Sequence, residues 1–301
     1  MKALQKTAIS AAAVALLTGL TSVAAFAEEA AAPEVSPVTA NVTVVNNYVY
    51  RGLTQSNFKP AVQGGFDYAH ESGFYIGNWN SSISWLGDGY ATSTPRLATV
   101  SAPVEMDFYA GFKKELIAEG FASDLGVLQY YYPTQGMPGE ALGGTTAVKN
   151  ASIATGRQAI GVSPNTTEVY AAQNFTFGPL TGFVKVSYAV TPLFGIYNSS
   201  GSYYPDLTAN YDTGFYGITA NAHVGYQAVP NSYKDTSGRS MSFSYMDWKL
   251  GVTKDFGGGL SGALAYVGTT AATVGGSYIY ATPQSKNAGA SQYLVSLTKA
   301  F

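Results

Sequence analysis

The sequence predicts an all-β chain, a transmembrane antiparallel up-and-down β-barrel of about twelve strands preceded by a cleaved signal peptide. Three observations predict it. Charged residues make up 11% of the chain, while Tyr numbers 23 and Gly 34; a soluble domain carries roughly a quarter charged residues. Few charges with many tyrosines and glycines suit a sheet with one lipid face, aromatic girdles and tight turns. The final stretch Tyr293-Leu294-Val295-Ser296-Leu297-Thr298-Lys299-Ala300-Phe301 puts Tyr293, Val295, Leu297 and Phe301 on one strand face. A chain that stops on such a strand is expected to be paired on both sides, as in a closed sheet. Short and long connections between strands also alternate along the chain.

Residues 1–27 read as the signal peptide. Lys2 and Lys6 give a basic start, Ala8 to Leu20 is apolar, and Ala25-Phe26-Ala27 surrounds the cleavage point. The apolar run is short of the roughly 18 to 20 residues that span a bilayer as a helix. Cleavage after Ala27 leaves about 274 residues counted from Glu28, and the loss of two lysines moves the formal charge from −2 to about −4. Residues 28–40, rich in Ala, Pro and Glu, read as a flexible periplasmic lead-in to a barrel over 41–301. With Cys absent, disulfide frameworks, thiolate metal sites and Cys nucleophiles are excluded. The near-neutral charge argues against a nucleic-acid partner.

Alternation places strands near 41–51, 60–70, 73–85, 103–114, 121–132, 165–177, 180–190, 203–211, 214–227, 243–256, 259–270 and 291–301. Five tight turns, near 70–73, 114–120, 178–179, 212–214 and 257–259, carry Gly, Pro or Asp chemistry. Between them lie six longer connections, the longest from Pro133 to Pro164. With both chain ends in the periplasm, the tight turns are periplasmic and the long loops extracellular. Pro205 weakens the strand near 203–211. Tyr68, Phe74, Phe112, Phe121, Phe177, Phe183, Tyr211, Phe215, Phe256 and Phe301 recur at the short-turn ends, where an interfacial girdle would sit. Lys299 interrupts the apolar face of the last strand and snorkels from the membrane edge.

The terminal pattern resembles the C-terminal signal of bacterial outer-membrane barrels. Tyr50-Arg51-Gly52-Leu53-Thr54-Gln55-Ser56, Pro60 to Tyr68 and Ser72 to Trp79 resemble the opening hairpins of the TorF-type porin family. Ala222-His223-Val224-Gly225-Tyr226-Gln227 and Asp247-Trp248-Lys249-Leu250-Gly251-Val252 are similar to its later strands. The resemblance covers most of the mature chain and implies an outer-membrane β-barrel with a channel role; Pro133 to Pro164 has no counterpart in it. The family supplies no catalytic or binding residues to carry over.

The polar strand faces supply the candidate functional surface. The expected pore-lining set is Arg51, Gln63, Asp67, Glu105, Asp107, Lys113, Glu168, Asn174, Lys185, Asn221, His223, Asp247 and Lys249. Mixed charges with a small anionic excess suit polar solutes and favour cations slightly. Twelve strands lie between a barrel filled by side chains and an open porin, so a narrow pore and a filled interior are both open. His70 reads as a solvated turn residue and His223 as an inward lumen group, so a hydrolase is disfavoured. Glu105 and Asp107, about 7 Å apart on one strand face, are wide for sharing a proton, and no third ligand for a metal is nearby. The expectation is therefore a non-enzymatic passive channel for small polar solutes or ions, embedded in outer-membrane lipid, with neither cofactor nor metal. The alternatives are a non-conducting surface protein that binds through its long loops and, less favoured, an outer-membrane hydrolase.

Overall fold

A computed structural model of the chain describes residues 36–91, 101–135, 162–231, 233–234 and 238–301. The signal peptide and most of the lead-in lie outside the described residues, as do residues 136–161 of the longest loop. Twelve strands among the described residues close into one antiparallel barrel: β1 (Val38–Val45), β4 (Ala61–Ala69), β5 (Phe74–Ser82), β6 (Val104–Ala118), β7 (Phe121–Tyr131), β8 (Thr166–Phe177), β9 (Leu180–Ala189), β10 (Tyr203–Asp212), β11 (Ile218–Gln227), β14 (Tyr245–Gly257), β15 (Leu260–Thr269) and β18 (Gln292–Ala300). Each pairs with its sequence neighbours in the barrel. The seam joins β1 to β18, with Asn41 opposite Ala300 and Val45 opposite Ser296. A closed sheet leaves no unpaired edge, the condition a β-structure must meet in lipid.

Alternation decides which side chains face which medium. On β4, Ala61, Gln63 and Asp67 are buried while Val62 and Phe66 are exposed; on β18, Ser296 is buried while Val295 and Leu297 are exposed. Exposed Val, Leu, Phe and Tyr recur on every barrel strand. An apolar outside around a polar inside inverts the arrangement of a soluble protein and fits a hydrocarbon surround. On β10, Pro205 faces Val186; the strand pairs with β9 from Tyr203 to Tyr211 and with β11 from Asp206 to Asp212, beyond the proline.

Several boundaries differ from the sequence expectation. The lead-in is shorter, because Val38 to Ala40 already pair with Tyr68, Asp67 and Phe66. The hairpin near 114–120 turns at residues 119–120, since β6 continues to Ala118 past an irregularity between Glu115 and Ala118. β11 starts at Ile218 rather than 214, because Tyr216 and Gly217 both take positive φ, at 50° and 63°, which a pleated strand excludes. β5 ends at Ser82, and Trp85–Ala91 forms the short helix α1. Phe183 is buried at 8% exposure and faces the lumen, so it leaves the girdle set; its parity with Lys185 and Ser187 turns it inward.

The largest correction concerns the first strand. β1 leaves the wall at Val45, and residues 49–54 form a hairpin of β2 (Val49–Tyr50) and β3 (Leu53–Thr54). Arg51 and Gly52 turn with φ of 44° and 76°. A Cβ on Gly52 would stand 2.3 Å from the Thr269 methyl and 2.7 Å from Asp247 Cβ. The hairpin tip therefore packs against the inner wall at β14 and β15, and only glycine fits there. Two further two-stranded hairpins, β12 (Tyr233–Lys234) with β13 (Ser240–Met241) and β16 (Thr273–Val274) with β17 (Ser277–Tyr278), stand at the loop end. There Tyr233, Phe243, Ile279 and Leu193 form a second apolar cluster.

Large lumenal rings lie across glycines of the neighbouring strand. A Cβ on Gly111 would fall 2.3 Å from Tyr75 Oη and 2.6 Å from the Leu125 carbonyl, and one on Gly225 would fall 2.1 Å from Tyr204 Oη. Replacing Gly111 by Ala should therefore displace Tyr75 from Asp124 and destabilise the barrel by about 1–3 kcal/mol. Urea unfolding followed by heat-modifiable gel migration measures this; an unchanged midpoint would show that the ring moves freely.

Candidate functional site: a tyrosine-lined lumen crossed by an arginine hairpin

Alternation turns the polar face of each strand into the lumen, and the first hairpin adds Arg51 from inside. The Arg51 guanidinium forks onto Glu168 of β8, with Nη2 to Oε2 at 2.7 Å and Nη1 to Oε1 at 3.0 Å. Nη1 also donates to Gln227 Oε1 of β11 at 2.7 Å, and the guanidinium carbon lies 4.2 Å from the Tyr204 ring centroid. Arg51 thus ties a loop to strands from distant parts of the chain. The planar fork matches the carboxylate in two places at once, which a lysine could not do.

Most lumenal carboxylates meet phenols rather than cations. Tyr48 and Tyr132 hydroxyls donate to the two oxygens of Glu105, the latter at 2.6 Å. Tyr109 donates to Asp67, Tyr75 donates to Asp124 at 2.7 Å, and Tyr130 donates to Glu168 at 3.3 Å. Tyr204 donates to Asp247 at 2.8 Å, and His223 Nε2 lies 3.0 Å from Asp247 Oδ2. The other His223 nitrogen lies 3.0 Å from Thr208 Oγ1 and 3.9 Å from Asp206 Oδ1.

The remaining residues expected from the sequence also have defined places. Gln63 donates to Ser81 at 3.2 Å, Lys113 to Asn174 at 3.3 Å, and Asn221 to Asn210 at 2.9 Å. Asp107 is 1% exposed beside Glu105 on the β6 inner face, and Lys185 and Lys249 line a cavity with His223 and Asp247. Arg51 alone of the thirteen reaches the interior from a loop. His70 lies in the turn between β4 and β5, with Nδ1 2.9 Å from Ser72 Oγ. Among the described residues no group of three His, Cys, Asp or Glu is arranged to hold a metal ion.

Sequence reasoning overlooked Asp124, Asp206, Gln227 and the tyrosines 75, 130, 170 and 204 as interior groups. The signal was present in their strand parity: Asp206 shares a face with Tyr204 and Thr208, and Asp124 with Leu128 and Tyr130. The girdle expected from the sequence takes in Tyr68 and Tyr211, yet inside a barrel a tyrosine ring fills volume while its hydroxyl serves a carboxylate.

The cavity below the hairpin has a volume of about 120 Å³, room for several waters. One side is charged, with Arg51, Lys185, Asp206, His223, Asp247 and Lys249. The other is small and mostly apolar, with Ala263, Ala265, Val267, Leu294 and Ser296 from β15 and β18.

These features define a class: a closed twelve-strand barrel with an apolar exterior and a lumen of hydrogen-bonded polar groups. The chain belongs to the Gcw_chp family, described as a bacterial protein of unknown function, whose family model matches residues 27–301. The family model does not carry the TorF-type name that the opening hairpins suggest. No curated protein matches the chain. Among solved structures, the NanC porin is 8% identical with a TM-score of 0.48, covering 88% of this chain and 98% of its own. The KdgM porin is 7% identical with a TM-score of 0.46 and the same coverage. The Pseudomonas putida toluene transporter TodX is 9% identical with a TM-score of 0.45, covering 89% of each chain.

Arg51 and Glu168 side chains are 6% and 2% exposed. Arg51→Met leaves a buried carboxylate without its cation and should cost about 3–5 kcal/mol. The freed hairpin should become cleavable near residues 49–54, an outcome that limited proteolysis with mass mapping reads directly. Glu168→Gln keeps a hydrogen-bond acceptor and should cost less.

Proposed function

We propose that the protein is a porin-like outer-membrane channel that passes small polar solutes or ions by diffusion, with the Arg51 hairpin as its narrow point. The observation that carries this reading is the hairpin across a charged, water-sized lumen. Salt-bridged to Glu168 and bonded to Gln227, it narrows the barrel while leaving the cavity of about 120 Å³ beneath it. Hydrogen-bonding groups around a narrow lumen favour polar solutes over apolar ones. The likeness of the opening hairpins to TorF-type porins supports the same reading. In it, residues 1–27 direct export, the short turns face the periplasm and the long loops face outward. The thirteen residues named from the sequence line the route, and no catalytic step is assigned to any of them.

Buried or cavity-lining carboxylates in the lumen are Asp67, Glu105, Asp107, Asp124, Glu168, Asp206 and Asp247, against Arg51, Lys113, Lys185 and Lys249. Seven against four leaves a formal excess of three negative charges, which supports a modest cation preference. Reconstitution of the protein in a planar bilayer with a salt gradient should give discrete steps and a reversal potential of cationic sign. Arg51→Ala should enlarge the steps and strengthen that preference. A folded, heat-modifiable barrel that stays silent would overturn the channel reading and favour a non-conducting surface protein.

A further inference from the structure

We propose that the cavity beneath the Arg51 hairpin is a binding site for a small zwitterion bearing an ammonium and a carboxylate on one carbon, of the α-amino acid class. The inference rests on the channel reading for its setting, but its chemistry comes from two side chains that the lumen leaves incomplete. Lys185 of β9 and Asp206 of β10 are direct cross-strand partners. Both point inward, are 8% and 7% exposed, and line the cavity. Directly opposed charges on neighbouring strands ordinarily pair. No ion pair joins these two.

Among the described residues Lys185 Nζ meets no hydrogen-bond acceptor; it stands 5.5 Å from the Tyr170 ring centroid and 5.9 Å from that of Phe183. Asp206 Oδ1 likewise accepts no hydrogen bond. Elsewhere in the lumen, Glu105, Glu168 and Asp247 are served by tyrosines, Arg51 or His223, and the other unmet carboxylate oxygens, Asp107 Oδ1 and Asp124 Oδ2, belong to residues that do not line this cavity. A buried ammonium held only by ring faces and a buried carboxylate oxygen that accepts no hydrogen bond, with His223 no nearer than 3.9 Å, are costly, and a ligand that supplies a charged hydrogen-bonding group to each lowers both costs. The required ligand therefore carries an anion and a cation a few bonds apart.

Opposite this pair stand Ala263, Ala265, Val267 and Leu294, with the Ser296 hydroxyl beside them, a mostly apolar surface that accepts a short aliphatic substituent. The volume of about 120 Å³ suits a compact solute rather than an oligomer. An ammonium, a carboxylate and a short apolar side chain on one carbon satisfy all three walls together.

The test is calorimetric titration of the full detergent-solubilised barrel with L-alanine, propionate, ethylamine and glycine, run beside bilayer conductance with the same probes. L-alanine should bind at least about tenfold more tightly than propionate or ethylamine, because each half-molecule leaves one buried charge unmet. It should also bind more tightly than glycine. Asp206→Asn, which preserves shape, should reduce L-alanine to the affinity of propionate, and Lys185→Met should reduce it to that of ethylamine, with heat-modifiable migration retained. Equal binding of L-alanine and propionate, or an Asp206→Asn barrel that folds and binds L-alanine undiminished, would overturn the site. Conductance without L-alanine binding would reject the site and leave the channel reading standing. L-alanine binding by a silent barrel would do the reverse.

Discussion

Closure of the sheet is the constraint on which everything else depends. In hydrocarbon a backbone N–H or C=O without a partner costs several kcal/mol, and no solvent is available to supply one. The seam of β1 against β18 satisfies the two strands that would otherwise be edges. Once the wall is closed, side-chain parity assigns every residue to lipid or lumen. The exposed Val62, Leu125, Val184 and Leu250 and the buried Gln63, Asp124, Lys185 and Asp247 follow from that one condition.

A closed wall creates an interior that must itself be filled. Tyrosine dominates because one residue does two things: its ring occupies space across a neighbouring glycine, and its hydroxyl ends on a carboxylate. Tyr75 lies over Gly111 and reaches Asp124; Tyr204 lies over Gly225 and reaches Asp247. These pairings explain why Gly and Tyr are abundant together. Each large ring needs a place on the next strand without a side chain, so the two compositions are coupled through register.

The strand framework was legible because its cause is local. Alternation in stretches such as Val104 to Phe112 and Tyr245 to Val252 is visible without any knowledge of partners. The Arg51 hairpin was not legible for the opposite reason. Val42, Val44, Tyr48 and Tyr50 continue one parity, so the sequence reads as an unbroken strand, while the turn at Arg51 and Gly52 is fixed by contacts at Glu168, Gln227, Asp247 and Thr269. Those residues lie more than a hundred positions away. Asp206 was hidden by Pro205, which weakened the strand that carries it. The tyrosine and glycine partnerships depend on pairing register, which a single sequence does not specify.

The use of phenols to hold carboxylates has a consequence for how the interior responds to dissolved salt. A tyrosine hydroxyl serves a carboxylate's lone pairs but brings no opposite charge, so Glu105 and Asp67 are bonded without being cancelled. Mobile ions screen attraction between separated charges; they do little to a short buried hydrogen bond between a neutral donor and an anion. The framework of the lumen is thus largely indifferent to ionic strength, while the field that it projects along the barrel axis is not. Mechanical integrity and electrical character reside in the same residues, yet the medium tunes only the second.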